Sequence, residues 1–356
     1  MTIGEESPRA GPAPRASLAA VLIVRDEARA IVRCLDSVRP WVDRMIVVDT
    51  GSTDDTVAHA RDCGAAVHHF AWRDDFSAAR NHALAIADAD WNLVIDADER
   101  IDAGGHLLRE WCDGAARLGV VRIDSAYDVP GDDASVAANR SWITRLLPRG
   151  VRYERRVHEQ AVSSLPRERL ALHIAHDGYR DAQLARKPDR NRLLLLADLQ
   201  DRPDDAYILF QLGRESSRRG DVSSACDEYA RSLALTAPAA PWRHELVICL
   251  LQALGQANQT KDALALIEAE MPCWPQSPDF FFVAGEALLD QAIADPAGAI
   301  GRWLPLAVAA WERCLEIGER PDLTGSFAGR GSHLAQHNLA VVRTQLSTLS
   351  GSRAAG

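Results

Sequence analysis

From Leu18 onward, apolar and polar positions fall into short blocks. The run "LAAVLIV" is continuously apolar and ends on Arg25, Asp26 and Glu27, the signature of a buried strand stopping at a charged turn. "ARAIVRCLDSV" then places Ile31, Leu35 and Val38 on one helical face. Met45 to Val48 predicts a second strand, which opens into "DTGSTDDT", where Thr53 or Asp54 is positioned to cap a helix running to Cys63. "AAVHHF" predicts a short third strand. "DFSAARNHALAIADA" predicts a helix with Ala79, Ala83 and Ile86 on one face and Asp75 or Ser77 at its cap. "WNLVIDADE" is a fourth strand, and "LALHIAHDGY" a last one, Leu170 to Ile174, leading to His176. Strands alternating with helices at these intervals predict a Rossmann-like α/β domain with a mainly parallel sheet.

From about Arg186 the period becomes helical. Leu209, Leu212, Gly213, Gly220, Ala225 and Tyr229, with Pro238 beyond, approach tetratricopeptide spacing, and Gly213 and Ala225 would let two antiparallel helices pack closely. Two looser copies follow, the third interrupted between Ala294 and Leu304, and "HLAQHNLAVVRTQL" reads as a capping helix. Trp242, Trp274 and Trp303 near the repeat junctions are expected to pack into the core. The boundaries expected are a disordered leader at 1–16, an α/β domain at 17–187, an all-α repeat domain at 188–346 and a disordered tail at 347–356.

The polar groups at the strand ends change the picture. In open α/β sheets ligands sit beyond the carboxyl ends of the strands. Arg25 and Glu27, Asp49, and the acids Asp96, Asp98 and Glu99 all fall at such ends. Adjacent carboxylates repel, and a divalent cation in a cleft would offset that repulsion. No G-x-G-x-x-G follows the first strand and no G-K-[ST] occurs, which disfavours dinucleotide and P-loop sites. His68 and His69 are neighbours on one strand, so they point to opposite faces. Trp72 is read as a packing anchor.

Composition adds exclusions. The 356 residues are 47% hydrophobic and 25% charged, which is globular, and the net charge of -10 argues against general nucleic-acid binding. No apolar run reaches the roughly 20 residues of a membrane span, and no signal peptide is evident, so the expected location is cytoplasmic. The seven scattered cysteines fit a reducing compartment.

The blocks "VLIVRDEARAIVRCLDSVRPWVDRMIVVDTGSTDDT", "DFSAARNHAL" and "WNLVIDADE", in that order, resemble family 2 glycosyltransferases of the GT-A fold. "RLLPRGVRYERRVHEQ" and "HDGY" resemble the subgroup with a helical-repeat tail. The resemblance covers Leu18 to about Lys187. It implies a nucleotide-sugar donor, usually a UDP-sugar, with the nucleotide held by Val24, Arg25, Glu27, Asp49, Ser52, Arg80 and Asp96. Within that set, Asp49 would contact the base and Asp96 the ribose. Asp98 would coordinate Mn²⁺ or Mg²⁺, and a late histidine, His176, would approach the same cation, with Tyr179 covering the nucleotide. Asp26 stands where many relatives carry Asn, which removes an amide donor. Glu27 is equally well explained as an acid before a helix.

Transfer with inversion needs a base for the acceptor hydroxyl or thiol. Glu159 in "RVHEQ" is the expected base, with His158 beside it to orient the acceptor or approach the metal, and Asp124 and Asp128 are the competitors. Arg145 is read as a solvated edge-strand residue in preference to a phosphate contact. The expected activity is metal-dependent, inverting transfer from a nucleotide-sugar to a peptide, glycan or small-molecule acceptor, with possible self-association through the helical domain. The other reading is a non-catalytic repeat scaffold carrying a vestigial sugar-nucleotide domain. A nucleotidyltransferase is disfavoured because "VRDEARA" is not a Gly-rich phosphate loop.

Overall fold

The computed structural model describes residues 15–129, 132–176 and 190–354. The chain separates into two compact units. Among the described residues, the first comprises 15–123, 143–154 and 159–176, and the second takes 124–142, 155–158 and the chain from 190.

The first unit is built on an eight-stranded sheet of order β3-β2-β1-β4-β7-β6-β10-β5. β1 (Leu18–Val24), β2 (Arg44–Asp49), β3 (Ala66–His69) and β4 (Trp91–Val94) pair in parallel. They are the alternating strands of the sequence pattern, with α1 (Ile31–Val38), α2 (Thr56–Asp62) and α3 (Phe76–Ala87) between them. The apolar runs bury on both faces. Leu18, Leu22 and Val24 join Ile31, Leu35 and Val38 in one core, while Ala19 and Val21 join Ala83 and Ala87 in another. Asp75 caps α3, accepting a hydrogen bond from the Ala78 N–H at 2.9 Å.

Beyond β4 the pairing turns antiparallel. β7 (Asp132–Pro148) runs against β4, with Leu93 opposite Leu146. β5 (Glu99–Ala103) closes the far edge against β10 (Arg167–His176), with α4 (Leu107–Cys112) following β5. β6 (Leu118–Val129) lies between β7 and β10. A short hairpin, β8 (Arg152–Glu154) with β9 (Gln160–Val162), completes the unit. Asn81 of α3 holds this hairpin at both polar groups of the Tyr153 backbone, each at 2.8 Å.

Several local expectations are corrected. β4 ends at Val94, and Glu99 opens a separate strand. The last strand starts at Arg167 and includes His176. Asp55, rather than Thr53 or Asp54, holds the N-cap of α2, although Asp54 accepts from the Thr56 N–H at 3.0 Å. Arg145 is not on an edge: β7 has neighbours on both sides, and its guanidinium is buried.

The second unit contains α5 (Arg190–Asp201), then α6 (Ala206–Arg218) with α7 (Val222–Leu235), α8 (Arg243–Gln256) with α9 (Thr260–Glu270), α10 (Pro278–Ala294) with α11 (Leu304–Ile317), and α12 (His333–Ala354). The three helix pairs are the three repeat copies of the sequence pattern. The interruption between α10 and α11 is a helical turn, Pro296–Gly298, and a π-helical segment, Ala299–Trp303. Gly213 is required for close packing: a Cβ there would stand 2.4 Å from the Tyr229 ring. Trp242 stacks on Phe210 at 5.3 Å, and Trp274 and Trp303 donate to Glu270 and Asp295. No helix among the described residues is long and apolar enough to cross a membrane.

Candidate active site

The carboxyl ends of β1 and β2 are stitched into one platform. Asp26 has a φ of 55°, in the left-handed region that Asp and Asn enter more readily than other side chains. Its carboxylate accepts from the Thr53 N–H at 2.7 Å, and its own N–H donates to Ser52 Oγ at 3.0 Å. The Glu27 N–H donates to Thr56 Oγ1 at 2.7 Å and the Ala28 N–H to Asp54 at 3.1 Å. An acceptor oxygen is what Thr53 requires, and Asp26 provides it. Asn would do the same through its carbonyl, so the departure at this position preserves the loop.

Asp49 is buried at the end of β2. Its carboxylate accepts from the Gly51 and Ser52 N–H groups at 3.2 and 3.0 Å, and His69 Nδ1 lies 3.2 Å away. Burial alone would raise its pKa, but these hydrogen bonds, Ser52's foremost, hold it below the usual carboxylate value. Val24 is a core residue whose carbonyl already accepts both the N–H and the Oγ1 of Thr50. It therefore shapes the turn and has no evident polar group for a ligand. Arg25 is exposed, 3.9 Å from Asp26. Glu27 lies 3.8 Å from Arg29 and its carbonyl accepts from Ala30 and Ile31 as the chain enters α1.

At the end of β4 two arginines organise the acids. Arg80 of α3 donates to Asp96 at 2.8 Å and also to Glu159. Arg145 Nη2 of β7 donates to Asp96 at 2.7 Å and to Glu99 at 2.6 Å. The Asp96 N–H donates to Glu99 Oε2 at 2.9 Å. Burial favours the neutral form of Asp96, but Arg145 and Arg80 overcome it and hold the carboxyl far below its ordinary range. Burial dominates at Glu99, which is pushed up to about 7 despite Arg145. Tyr153 lies beside Arg80, with the guanidinium 5.6 Å from its ring centroid. Burial raises its phenol to about 12. Tyr153 Oη and Arg80 Nη1 are buried and have no hydrogen-bond partner among the described residues.

His176 pairs across β5–β10 with Glu99, and this register brings its Nε2 to 3.3 Å from Asp98 Oδ2. Burial would lower the His176 pKa, but the Asp98 hydrogen bond and charge raise it. An imidazole nitrogen and a carboxylate oxygen, both partly exposed, fit a divalent cation such as Mn²⁺. No group of three or more His, Cys, Asp or Glu side chains suited to a metal occurs among the described residues.

The sequence-derived candidates thus separate. Arg80 ties Asp96 to Glu159, Asp98 pairs separately with His176, and Asp49 with Ser52 forms the turn after β2. His158 differs: its loop, 155–158, belongs to the second unit, where Arg155 pairs with Asp205 and Arg156 with Asp198 and Asp201. Asp124 also falls in the second unit. The Asp128 side chain and Tyr179 lie outside the described residues. Sequence reasoning assigned no role to Glu99, Asn81 or Tyr153. Glu99 was visible as the third acid of the cluster, whereas Asn81 and Tyr153 carry no motif signal.

The mixed α/β sheet thus gathers acids around two buried arginines beyond the end of β4. Residues 19–159 match the model of glycosyl transferase family 2, and the chain carries a domain of that family. A TPR repeat-containing protein of Synechococcus elongatus is 34% identical over 250 residues, 66% of this chain and 61% of the relative. The SPbeta prophage-derived glycosyltransferase SunS of Bacillus subtilis is 28% identical over 269 residues, 70% and 62% of the two chains. The chain therefore spans about three fifths of the length of these relatives. A solved structure of glucosyl-3-phosphoglycerate synthase from Mycobacterium tuberculosis, with Mn²⁺, UDP and glucosyl-3-phosphoglycerate, is 27% identical. It covers 32% of this chain and 44% of its own, with a TM-score of 0.25.

Proposed function

We propose that the chain is a metal-assisted, inverting glycosyltransferase that uses a UDP-sugar and a peptide, glycan or small-molecule acceptor. The observation that supports this reading is that Asp98 pairs with His176 two residues along from Asp96, which Arg80 ties to Glu159. In this reading the Asp49–Ser52 turn receives the base, and Asp96, fixed by two arginines, accepts from the ribose hydroxyls. Asp98 and His176 would hold Mn²⁺ or Mg²⁺, which would supply charge compensation for the diphosphate. Glu159 takes the proton from the acceptor hydroxyl or thiol as that atom bonds to the anomeric carbon. The bond from the anomeric carbon to the phosphate oxygen breaks, and the nucleoside diphosphate leaves with the electron pair. Arg80 keeps the Glu159 carboxylate aimed at this position.

The test is UDP release from a panel of UDP-sugars, with Mn²⁺ and then with EDTA, followed by NMR of the anomeric configuration of the product. Metal-dependent release with inversion is the expected result. Absence of turnover with every donor, while nucleotide still binds, would instead fit a sugar-nucleotide-binding scaffold.

A further inference from the structure

Helix α3 reaches the β8–β9 hairpin with two successive side chains. Arg80 donates through Nε to the Glu159 carboxylate and through Nη2 to Asp96 at 2.8 Å. Asn81 takes both polar groups of the Tyr153 backbone, its Nδ2 donating to the carbonyl and its Oδ1 accepting from the N–H, each at 2.8 Å. An Asn carboxamide offers the same donor and acceptor as a peptide unit, and here it stands where a neighbouring strand's backbone would. In an antiparallel pair the N–H and C=O of one residue point to the same side, and those of the next residue to the other. The Tyr153 groups therefore face α3, and those of Arg152 and Glu154 face β9.

The hairpin needs such an anchor. β8 and β9 have three residues each and form a sheet of their own, and an isolated two-stranded hairpin is marginal in water. The turn between them carries Arg155 at φ 80° and His158 at φ 51°, in the left-handed region that non-glycine residues disfavour. Tyr153 and Ala161, opposite each other, bury their side chains in one cluster with Val94, Leu118 and Leu147. Apolar contact is non-directional, so this burial does not set where the strands stop along α3. The two Asn81 hydrogen bonds do. Glu154 pairs with Gln160, which makes Glu159 the residue just outside the paired strands. The backbone position of Tyr153 is thereby passed to Glu159.

We propose that Asn81 is a positioning residue for sugar transfer: by holding Tyr153 it sets the hairpin against α3 and so places the Glu159 carboxylate on the Arg80 guanidinium. This rests on the reading of Glu159 as the base. A guanidinium is a rigid planar fork. With Nη2 held on Asp96, the Nε of Arg80 points in one fixed direction. Glu159 meets that direction only at one position of the hairpin, and Asn81, the next residue of the helix, fixes that position from the same backbone. Asp96 and Glu159 are thus spaced by one rigid element. Both polar atoms of Asn81 are engaged by Tyr153, so its effect is exerted through Glu159 and not by contact with substrate.

The experiment uses the full chain with N81L, which keeps the side-chain size and removes both hydrogen bonds, and with N81S as a second variant, each alone and combined with E159Q. UDP release with Mn²⁺, from the UDP-sugar turned over in the donor panel, is read as kcat and KM. N81L should lower kcat about tenfold or more, because a misplacement of about 1 Å can cost about 10²-fold. UDP affinity by calorimetry should stay within about twofold. In the E159Q background the same substitution should cost less than about twofold, since residues that act as a unit are not additive. Losses that multiply in the double variant would overturn the proposal, because Asn81 would then act by another route. Hydrogen exchange supplies an arm that needs no turnover: the amides of Tyr153 and of residues 160–162 should exchange about tenfold faster in N81L, with β1 and β4 as in the wild type. Unchanged exchange in the hairpin would overturn the proposal whatever the activity. Wild-type kcat in N81L beside an impaired E159Q would defeat this proposal alone, whereas wild-type kcat in E159Q would defeat the base reading and the positioning role with it.

Discussion

Asp98 Oδ2 lies 3.3 Å from His176 Nε2, and the antiparallel register of β5 with β10 is what joins them. Neither side chain is in the hydrophobic core, so Asp98→Ala should leave the fold intact. If the two share one cation, Asp98→Ala and His176→Ala should each weaken Mn²⁺ binding in the presence of UDP and cut turnover by about 10²-fold or more. Calorimetric titration with Mn²⁺ and UDP-release assays check this. Wild-type turnover in a folded Asp98→Ala protein would remove the metal from the mechanism.

Glu159 is the second test of the site. Its carboxylate is held by Arg80 and is mostly buried. Glu159→Gln should keep UDP affinity but lower kcat by about 10²-fold, the usual scale for loss of a general base. A rise in KM with kcat unchanged would instead assign Glu159 a binding role.

Arg145 serves both a site and a fold. One nitrogen contacts Asp96 and Glu99, and the side chain is 8% exposed. Arg145→Met removes the cation and leaves Glu99, itself 3% exposed, without its charge partner. A loss of about 3 kcal/mol is expected, read from urea unfolding. A change below the error of that measurement would mean that Glu99 is accommodated as the neutral acid.

His158 makes a pH prediction. Burial, reinforced by Arg214 and Arg218, lowers its pKa to about 3. The folded state therefore keeps the imidazole neutral where the unfolded chain, with a pKa of about 6.5, binds a proton. Its contribution is fully present above pH 6.5 and is lost as pH falls toward 3, at up to about 1.4 kcal/mol per unit. His158→Gln should flatten the acid limb of a stability–pH profile. An unchanged limb would assign acid sensitivity to other groups.

Gly213→Ala should destabilise the helical unit by about 1–3 kcal/mol through overpacking, because the new methyl would meet the Tyr229 ring at 2.4 Å. Tyr229→Leu in the same background should recover part of the loss. A double-mutant cycle with no coupling between the two positions would contradict the contact.

Local patterning carried the parallel half of the sheet, since β1, β2 and β4 are mainly apolar runs that lead into charged turns, while β3 is short and partly polar. The helix pairs were legible for the same reason, through period and small residues such as Gly213. The antiparallel half was not. β6 and β7 are long and part polar, and nothing in "WITRLLPR" states that its strand has neighbours on both sides. Arg145 therefore looked solvated, although sheet order buries it. The acids at the strand ends were visible as types, but their division was not. Asp96 is arginine-bound, Asp98 faces His176, and Glu99 is pushed toward neutrality by burial, which outweighs its Arg145 partner.

The placement of β10 has a consequence for synthesis. β10 lies between β6 and β5, and β5 occupies the sheet edge solely through that pairing. When Ala103 has left the ribosome, β5 has no strand to join, and it must wait until His176 has been made. At about 5–20 residues per second this delay lasts several seconds, during which the strands β1 to β4 can assemble without it. A chain interrupted before residue 167 would carry Asp98 but neither the strand that anchors the edge nor the imidazole opposite it. Completion of the site is therefore coupled to completion of the sheet, and a partly translated chain cannot present the Asp98–His176 pair.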